Sequence, residues 1–140
     1  MRICIDSCVF IHGLQETDPA AVQLLDVISP GIALVIPRLV GQEVTRNLST
    51  PAQVRSFYHL FHNRDLAFIV DEPVPRELVT KYAQLGLPAK ADAFIGAFAE
   101  WMDVEYLISD NRHFLRDLQT EAFEVLDASD FIDRWKKRSF

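Results

Sequence analysis

Short apolar runs separated by amphipathic stretches make up most of the chain. The runs are rich in Ile, Val, Leu and Phe and are bounded by Pro, Gly, Asp or Asn, which is typical of strands buried on both faces. The predicted strands are 2–6, 31–37, 66–70, 104–109 and 123–126. Between them, apolar residues recur at intervals of three and four, which indicates helices. The predicted helices are 18–29, 37–50, 51–62, 75–85, 88–102 and 129–137.

The alternation of short strands and helices predicts the fold class. Local signals support the boundaries: Asp18 and Pro19 suit the start of a helix, and Gly86 suits the end of one. Apolar strands that alternate with helices form parallel sheets covered on both faces. We therefore predict a three-layer α/β/α fold with a central parallel sheet, in which functional sites lie at the carboxyl ends of the strands.

The bulk properties fit one ordinary globular domain. The chain has 140 residues, of which 49% are hydrophobic and 24% charged, and we expect a single domain spanning 1–140. No apolar run approaches the ~20 residues of a membrane span, and no signal-peptide pattern is evident. Cys4 and Cys8 do not have the spacing of a disulfide framework or a redox motif, so two reduced, buried thiols in a cytoplasmic protein are expected.

The net charge of −6 argues against binding of nucleic acid by overall electrostatic attraction. It does not exclude a nuclease, because an acidic metal site adds negative charge that divalent ions offset. The four histidines are scattered without the spacing of metal ligands.

Asp6 is the first unusual residue, because it lies between the apolar run Ile3–Ile5 and another apolar run that begins at Val9. A charge between two buried runs needs compensation. Its position at the end of a predicted strand is where an α/β protein places its chemistry.

Glu43 lies on the apolar side of a predicted helix. On a period of 3.6 residues it falls within the arc that contains Val40 and Val44, which predicts a core-facing carboxylate that must be paired, protonated or metal-bound. The alternative is a surface pair with Arg46 or Asn47, and the helix alone does not decide between them.

Asp92 and the pair Asp110–Asn111 complete the set of candidates. Asp92 shares a helix face with Ile95, and although negative charge is favourable near a helix start, that does not explain its apolar neighbours. Asp110 and Asn111 follow a predicted strand, where they also suit a turn or a helix cap. Carboxylates brought together at one edge of a sheet repel each other, and Mg²⁺ or Mn²⁺ relieves that repulsion. Such an ion can activate water and stabilise phosphate oxygens.

The order of these motifs resembles the PIN-domain family, and in particular the toxins of VapBC toxin–antitoxin modules. The motifs are four: an apolar strand ending in Asp-Ser, PxxxxxE after the second strand, DAFIGAFA at the head of a helix, and LISDNRHF after the fourth strand. The resemblance covers nearly the whole chain in order and spacing. It implies a PIN-like fold and a Mg²⁺- or Mn²⁺-dependent endoribonuclease that cuts RNA. It also implies a cognate antitoxin as partner and a homodimer.

The resemblance implies roles for individual residues. Asp6, Glu43 and Asp92 match the three main acids, and Ser7 matches the hydroxyl residue after the first acid. Ser7 or Asn111 would orient water or phosphate. The fourth acid is expected two residues after a Ser or Thr, and that position is Asn111, with Asp110 just before it. Either residue could fill it, so the metal set is Asp6, Glu43 and Asp92 with Asp110 or Asn111.

Two other functions are compatible with parts of this pattern. Phosphatases of the haloacid-dehalogenase type also begin with a strand ending in aspartate, but they need a second aspartate two residues later, where this chain has Cys8. A PIN-like binding module without activity is the second alternative. The acidic composition and the absence of a clear fourth acid favour it slightly.

Overall fold

Five parallel strands form the centre of the protein in a computed structural model that describes residues 1–28, 31–62 and 67–137. The strands are β1 (Arg2–Ile5), β2 (Ala33–Pro37), β3 (Ala67–Val70), β4 (Tyr106–Ile108) and β5 (Glu124–Leu126). The helices are α1 (Ser7–Leu14), α2 (Pro19–Val27), α3 (Arg38–Asn47), α4 (Pro51–His59), α5 (Arg76–Gln84), α6 (Lys90–Trp101) and α7 (Ala128–Lys137), and a π-helical turn spans His113–Asp117.

The strand order is β3-β2-β1-β4-β5, and every pair within it is parallel. The chain builds the sheet outward from β1 toward β3, then crosses back to β4 on the other side of β1. The order therefore reverses between β1 and β4, and the carboxyl ends of these two strands border a crevice. Ile5 pairs with Ile108, so the residues after these two strands begin side by side.

Helices flank the sheet in two groups, as predicted. In one group α1 packs against α2, α3 and α4, and α2 packs against α7, while α5 and α6 pack against each other. The core between the layers is apolar and includes Ile3, Ile5, Phe10, Leu34 and Phe98, all fully buried. The predicted α/β/α architecture with a parallel sheet is confirmed.

The main error of the prediction is α1, because no element was predicted for residues 7–14. Asp6 is the N-cap of this helix, and its side chain accepts a hydrogen bond from the backbone N–H of Ser7 at 2.8 Å. Asp6 lies between two apolar runs because it connects the end of a buried strand to the start of a largely buried helix, which it caps. The short π-helical turn was not predicted either.

Most other elements differ from the prediction only at their ends. The predicted ends at Ser29 and Leu66 lie outside the described residues. Gly86 follows the C-cap of α5, as predicted: its φ of 117° favours glycine, and a Cβ there would collide with the backbone carbonyl of Asp117. Gly96 allows the close approach within the second group of helices, where a Cβ would lie 2.7 Å from the ring of Tyr82.

Within the described ranges, no helix combines the length and the hydrophobicity required to cross a bilayer.

Candidate active site

A cleft of about 290 Å³ opens at the carboxyl ends of β1 and β4. Residues that follow the two strands form one wall, and α3 and α6 contribute the others. The lining residues are Asp6, Ser7, Cys8, Glu43, Ala91, Asp92, Ile95, Asp110 and Asn111. The fold therefore brings all six residues singled out from the sequence to one cleft, although they differ in what they contact.

Asp6 is the most buried of the carboxylates and is only 6% exposed. One carboxylate oxygen accepts from the N–H of Ser7, and the other accepts from the hydroxyl of Ser109 at 2.9 Å. These two donors hold the side chain in one orientation at the base of the cleft. The rigid strand and the helix cap together thus fix the position of this carboxylate.

The pKa of Asp6 is raised above its ordinary value, and burial is the largest cause. The carboxylates of Asp92 and Glu43 raise it further, because a second negative charge nearby disfavours ionisation. The hydrogen bonds from Ser109 and Ser7 act in the opposite direction by stabilising the charged form. The cleft is therefore a place where negative charge is costly and a cation would be favourable.

Glu43 faces this cleft from α3, as the apolar arc predicted. Its side chain is half-buried and accepts a hydrogen bond of 2.7 Å from the Ser7 hydroxyl. The alternative surface pair is not formed: Asn47 donates to the backbone carbonyl of Glu43, and no Glu43–Arg46 ion pair occurs within the described ranges.

Asp92 lies in the first turn of α6 and points toward the residues that follow β4. The amide nitrogen of Asn111 is 3.5 Å from one of its carboxylate oxygens. The amide oxygen of Asn111 accepts from the backbone N–H of His113 at 2.9 Å. Because a backbone N–H can only donate, this contact fixes the orientation of the amide and directs the NH₂ group of Asn111 into the cleft.

Asp110 borders the same cleft but has different partners. Its carboxylate is 3.6 Å from the Nδ1 atom of His12, at the C-terminal end of α1. Partial burial and the carboxylate of Asp18 raise the pKa of Asp110, while His12 lowers it. The pKa of Asp110 is thus shifted by the charges of His12, Asp18 and Asp127, whereas the pKa of Asp6 is shifted by those of Glu43 and Asp92.

Ser109 was not among the candidates drawn from the sequence, yet it links two of them. It is fully buried, donates to Asp6, and accepts from the backbone N–H of Asn111 at 3.0 Å. The one signal for it is a hydroxyl residue directly after an apolar strand that neighbours the strand of Asp6. That signal requires knowledge of which strands are adjacent.

The two cysteines are free, in agreement with the predicted thiols, but the prediction that both are buried is correct only for Cys4. Cys8 is half-buried and lines the cleft, with its sulfur 3.8 Å from a carboxylate oxygen of Asp6. Burial, followed by the negative charge of Asp6, raises the pKa of Cys8 to about 12. The thiol is therefore protonated at neutral pH and is a weak donor to Asp6.

The side chains at the cleft provide oxygen ligands, which suit hard divalent cations. Within residues 1–28, 31–62 and 67–137, however, no group of three or more His, Cys, Asp or Glu side chains is arranged to hold a metal ion. The Ser7 hydroxyl donates a hydrogen bond to the carboxylate of Glu43, and the Ser109 hydroxyl donates one to the carboxylate of Asp6.

Comparison with solved structures identifies the fold. The chain is similar to a chain of VapBC2 from Rickettsia felis, solved bound to a DNA fragment from the promoter, with 12% identity, 91% of this chain and 98% of the other covered, and a TM-score of 0.57. It is also similar to a chain of a toxin–antitoxin complex from Klebsiella pneumoniae, with 21% identity, 90% and 97% covered, and a TM-score of 0.63. No protein-family model and no curated protein matches the sequence. At these identities the likeness shows the fold, and it confirms the predicted PIN-like architecture over about nine tenths of the chain.

Proposed function

We propose that this protein is a divalent-metal-dependent endoribonuclease that hydrolyses phosphodiester bonds in RNA. The observation that carries the proposal is the convergence of Asp6, Glu43 and Asp92 on one cleft, with Asp6 buried and its pKa raised partly by the other two carboxylates. Charge of one sign placed together in a desolvated cleft is costly for stability, and such clusters are typical of functional sites.

The donor set fits Mg²⁺ or Mn²⁺, because it consists of carboxylate oxygens. Asp6, Glu43 and Asp92 would hold the ion. When bound, it supplies Lewis-acid activation of water and neutralises charge on the phosphate. No described group of three ligands is arranged around a metal position, and we propose that the side chain of Glu43 turns toward the ion when it binds. Glu43 has the longest of the three side chains, and the hydrogen bond that its carboxylate would have to give up is the one from the Ser7 hydroxyl.

The neutral residues of the cleft position the acids and the substrate. The Ser109 hydroxyl and the Ser7 N–H hold Asp6, so this carboxylate needs no reorganisation. We assign the fourth position of the site to Asn111 rather than to Asp110, because the NH₂ group of Asn111 is directed at Asp92. That group would orient Asp92 and donate to a phosphate oxygen. Asp110 is paired with His12 and would contribute only to the electrostatic potential around the cleft.

We further propose that the enzyme is the toxin of a toxin–antitoxin module, in the cytoplasm. The structural likeness to chains of toxin–antitoxin complexes supports an antitoxin as partner. The free thiols of Cys4 and Cys8 suit a reducing compartment. A homodimer belongs to the same proposal and can be tested by the mass of the purified protein in solution.

A second candidate function is a PIN-like binding module without nuclease activity. It is favoured by the neutral side chain of Asn111 at the fourth position of the site and by the net charge of −6. Titration with millimolar Mn²⁺ distinguishes the two candidates, because a ligand that binds the folded state raises the melting temperature. An inert module should show no shift.

The main experiment measures cleavage of single-stranded and structured RNA by the purified protein with Mg²⁺, with Mn²⁺ and with excess EDTA. We expect cleavage only with metal, and loss of cleavage in Asp6→Asn and in Asp92→Asn. Asp103→Asn is the matched control. Asp103 is exposed beyond the other end of α6 and has a φ of 55°, a conformation that asparagine also adopts.

The control variant should cleave as the parent does. Equal cleavage by the parent, Asp6→Asn and Asp92→Asn would contradict the assignment of the site. Cleavage that persists in excess EDTA would contradict the dependence on metal.

A further inference from the structure

An apolar groove of about 630 Å³ lies beside the acidic cleft, between the start of α3 and the helices α5 and α6. Its walls are Leu39, Val74, Val79 and Phe94, and two cations, Arg76 and Lys90, lie along its edge. Phe94 is half-buried, so part of its ring is accessible from the groove. The proposed chemistry of the cleft does not use any of these residues.

The groove and the cleft adjoin each other. Ala91 lines both of them. On α3, Leu39 lines the groove and Glu43, one turn later, lines the cleft. On α6, Phe94 lines the groove and Asp92 lines the cleft. A ligand that extends from the acids along these two helices would therefore enter the groove.

The two cations of the groove have no carboxylate partner among the residues that the structure describes. Arg76 and Lys90 are exposed, and within the described ranges neither forms an ion pair. Arg38 and Lys81, by contrast, pair with Asp71 and Glu100. In a chain with a net charge of −6, two cations that lie beside a cleft of carboxylates and form no ion pair within the described part of the chain provide a local site for an anion.

From this geometry we infer that the groove binds a nucleotide of single-stranded RNA next to the scissile phosphate. The base lies against Phe94, and Arg76 and Lys90 contact the flanking phosphates. The inference rests on the proposed function, since it extends the substrate from the cleft. Single-stranded binding sites combine an aromatic platform for the bases with cations for the backbone, and this groove offers both.

The first test places a reporter in the groove. Phe94→Trp keeps an aromatic ring and adds a fluorophore, and the parent protein, which contains Trp101 and Trp135, gives the background. Both proteins are titrated with a short single-stranded RNA in excess EDTA, so that binding is measured without metal-dependent cleavage. We expect quenching in Phe94→Trp beyond that of the parent. An oligonucleotide of the same charge that contains an abasic residue should bind the protein at least about tenfold more weakly, because base stacking is lost.

The second test measures charge and does not depend on Phe94→Trp folding. Binding of RNA to the double variant Arg76→Gln/Lys90→Gln is compared with binding to Lys136→Gln/Lys137→Gln, which removes two exposed cations of α7. For single strands, each phosphate contact contributes about 0.7 to the slope of log affinity against log salt concentration. The groove variant should lower the magnitude of the slope by roughly 1.4, and the α7 variant should leave it unchanged.

The outcomes separate this inference from the proposed function. RNA that binds without quenching Phe94→Trp, with the salt slope unchanged in the groove variant, would overturn the inference even if the parent cleaves RNA. Quenching by RNA in a protein that never cleaves RNA would support the groove as a binding site and contradict the nuclease. A Phe94→Trp signal that changes with protein concentration alone, together with the mass of a dimer, would assign the groove to a second copy of the chain and overturn the inference.

Discussion

Asp6 and Asp110 both follow strands at the centre of the sheet, border the same cleft and look equivalent in the sequence. Their surroundings differ. Asp6 is buried and accepts hydrogen bonds from Ser7 and Ser109, and the carboxylates of Glu43 and Asp92 raise its pKa. The side chain of Asp110 is 33% exposed and lies against His12.

The register of β1 and β4 explains this difference. Ile5 pairs with Ile108, so the next residue of each strand, Asp6 in one and Ser109 in the other, lies beside its neighbour. Side chains alternate along an extended chain, and a shift of one residue turns the side chain away. Asp110 is one residue too late to face Asp6. Register with the neighbouring strand thus identifies the residues that contact Asp6 better than proximity to the end of a strand does.

Replacement of each aspartate by alanine is the strongest test of this comparison. Asp6→Ala should reduce metal-dependent RNA cleavage by at least about 100-fold, because even groups that only support metal ligands contribute 10–100-fold. Asp110→Ala should remain within several-fold of the parent. Rates are measured with saturating Mn²⁺ on one RNA. Comparable losses in the two variants would show that Asp110 belongs to the ligand set.

Ser109→Ala tests whether the partner of Asp6 matters as much as Asp6 itself. The change removes the donor to Asp6 and the acceptor of the Asn111 N–H. We expect roughly 10–100-fold weaker Mn²⁺ binding and a loss of about 1–3 kcal/mol in the free energy of unfolding. Calorimetric titration and urea denaturation measure the two quantities. Ser56→Ala, a change of an exposed serine on α4, is the control and should alter neither.

The pH dependence of stability should differ between the two aspartates in the presence of EDTA. The folded-state pKa of Asp6 is raised, so above about pH 3.9 the folded state holds more protons than the unfolded state, and stability falls as Asp6 ionises. Asp6→Asn cannot ionise. Its free energy of unfolding relative to the parent should therefore increase from pH 4 toward neutrality.

The same comparison for Asp110→Asn should give a smaller increase, because His12 offsets part of the effect of burial on Asp110. Urea denaturation at a series of pH values provides both curves. A flat difference curve for Asp6→Asn would contradict the raised pKa.

The smallest expected effect concerns the pair of His12 and Asp110. Both side chains are partly exposed, and such ion pairs contribute at most about 1 kcal/mol. His12→Gln should therefore change the free energy of unfolding by less than this and leave RNA cleavage nearly unchanged. A large loss of activity would mean that the pair orders the cleft.

Much of the fold could be predicted because its signals are local. The apolar runs of the strands, the cap at Asp18 and the end of α5 at Gly86 are all readable over a few residues. The sequence does not reveal α1, because the helix is short and its N-cap, Asp6, also ends a strand. The π-helical turn at His113–Asp117 carries no distinctive pattern.

The candidate site was predictable in part for the same reason. The period of α3 placed Glu43 on the apolar side, and the half-buried carboxylate agrees with that. The choice between Asp110 and Asn111 could not be made from the sequence, since both suit a turn after a strand. Our proposal of Asn111 for that position is supported by the hydrogen bond from His113 that orients its amide.

The sequence by itself determined the strands and helices other than α1 and the π-helical turn, and that carboxylates would end or flank several of them, because hydrophobic periodicity and capping act over a few residues. Only the tertiary structure decided that β1 lies beside β4, that Ser109 rather than Asp110 is the neighbour of Asp6, and that an apolar groove with Arg76 and Lys90 borders the cleft. The first two features depend on strand order and register, which are set by contacts between residues about a hundred positions apart.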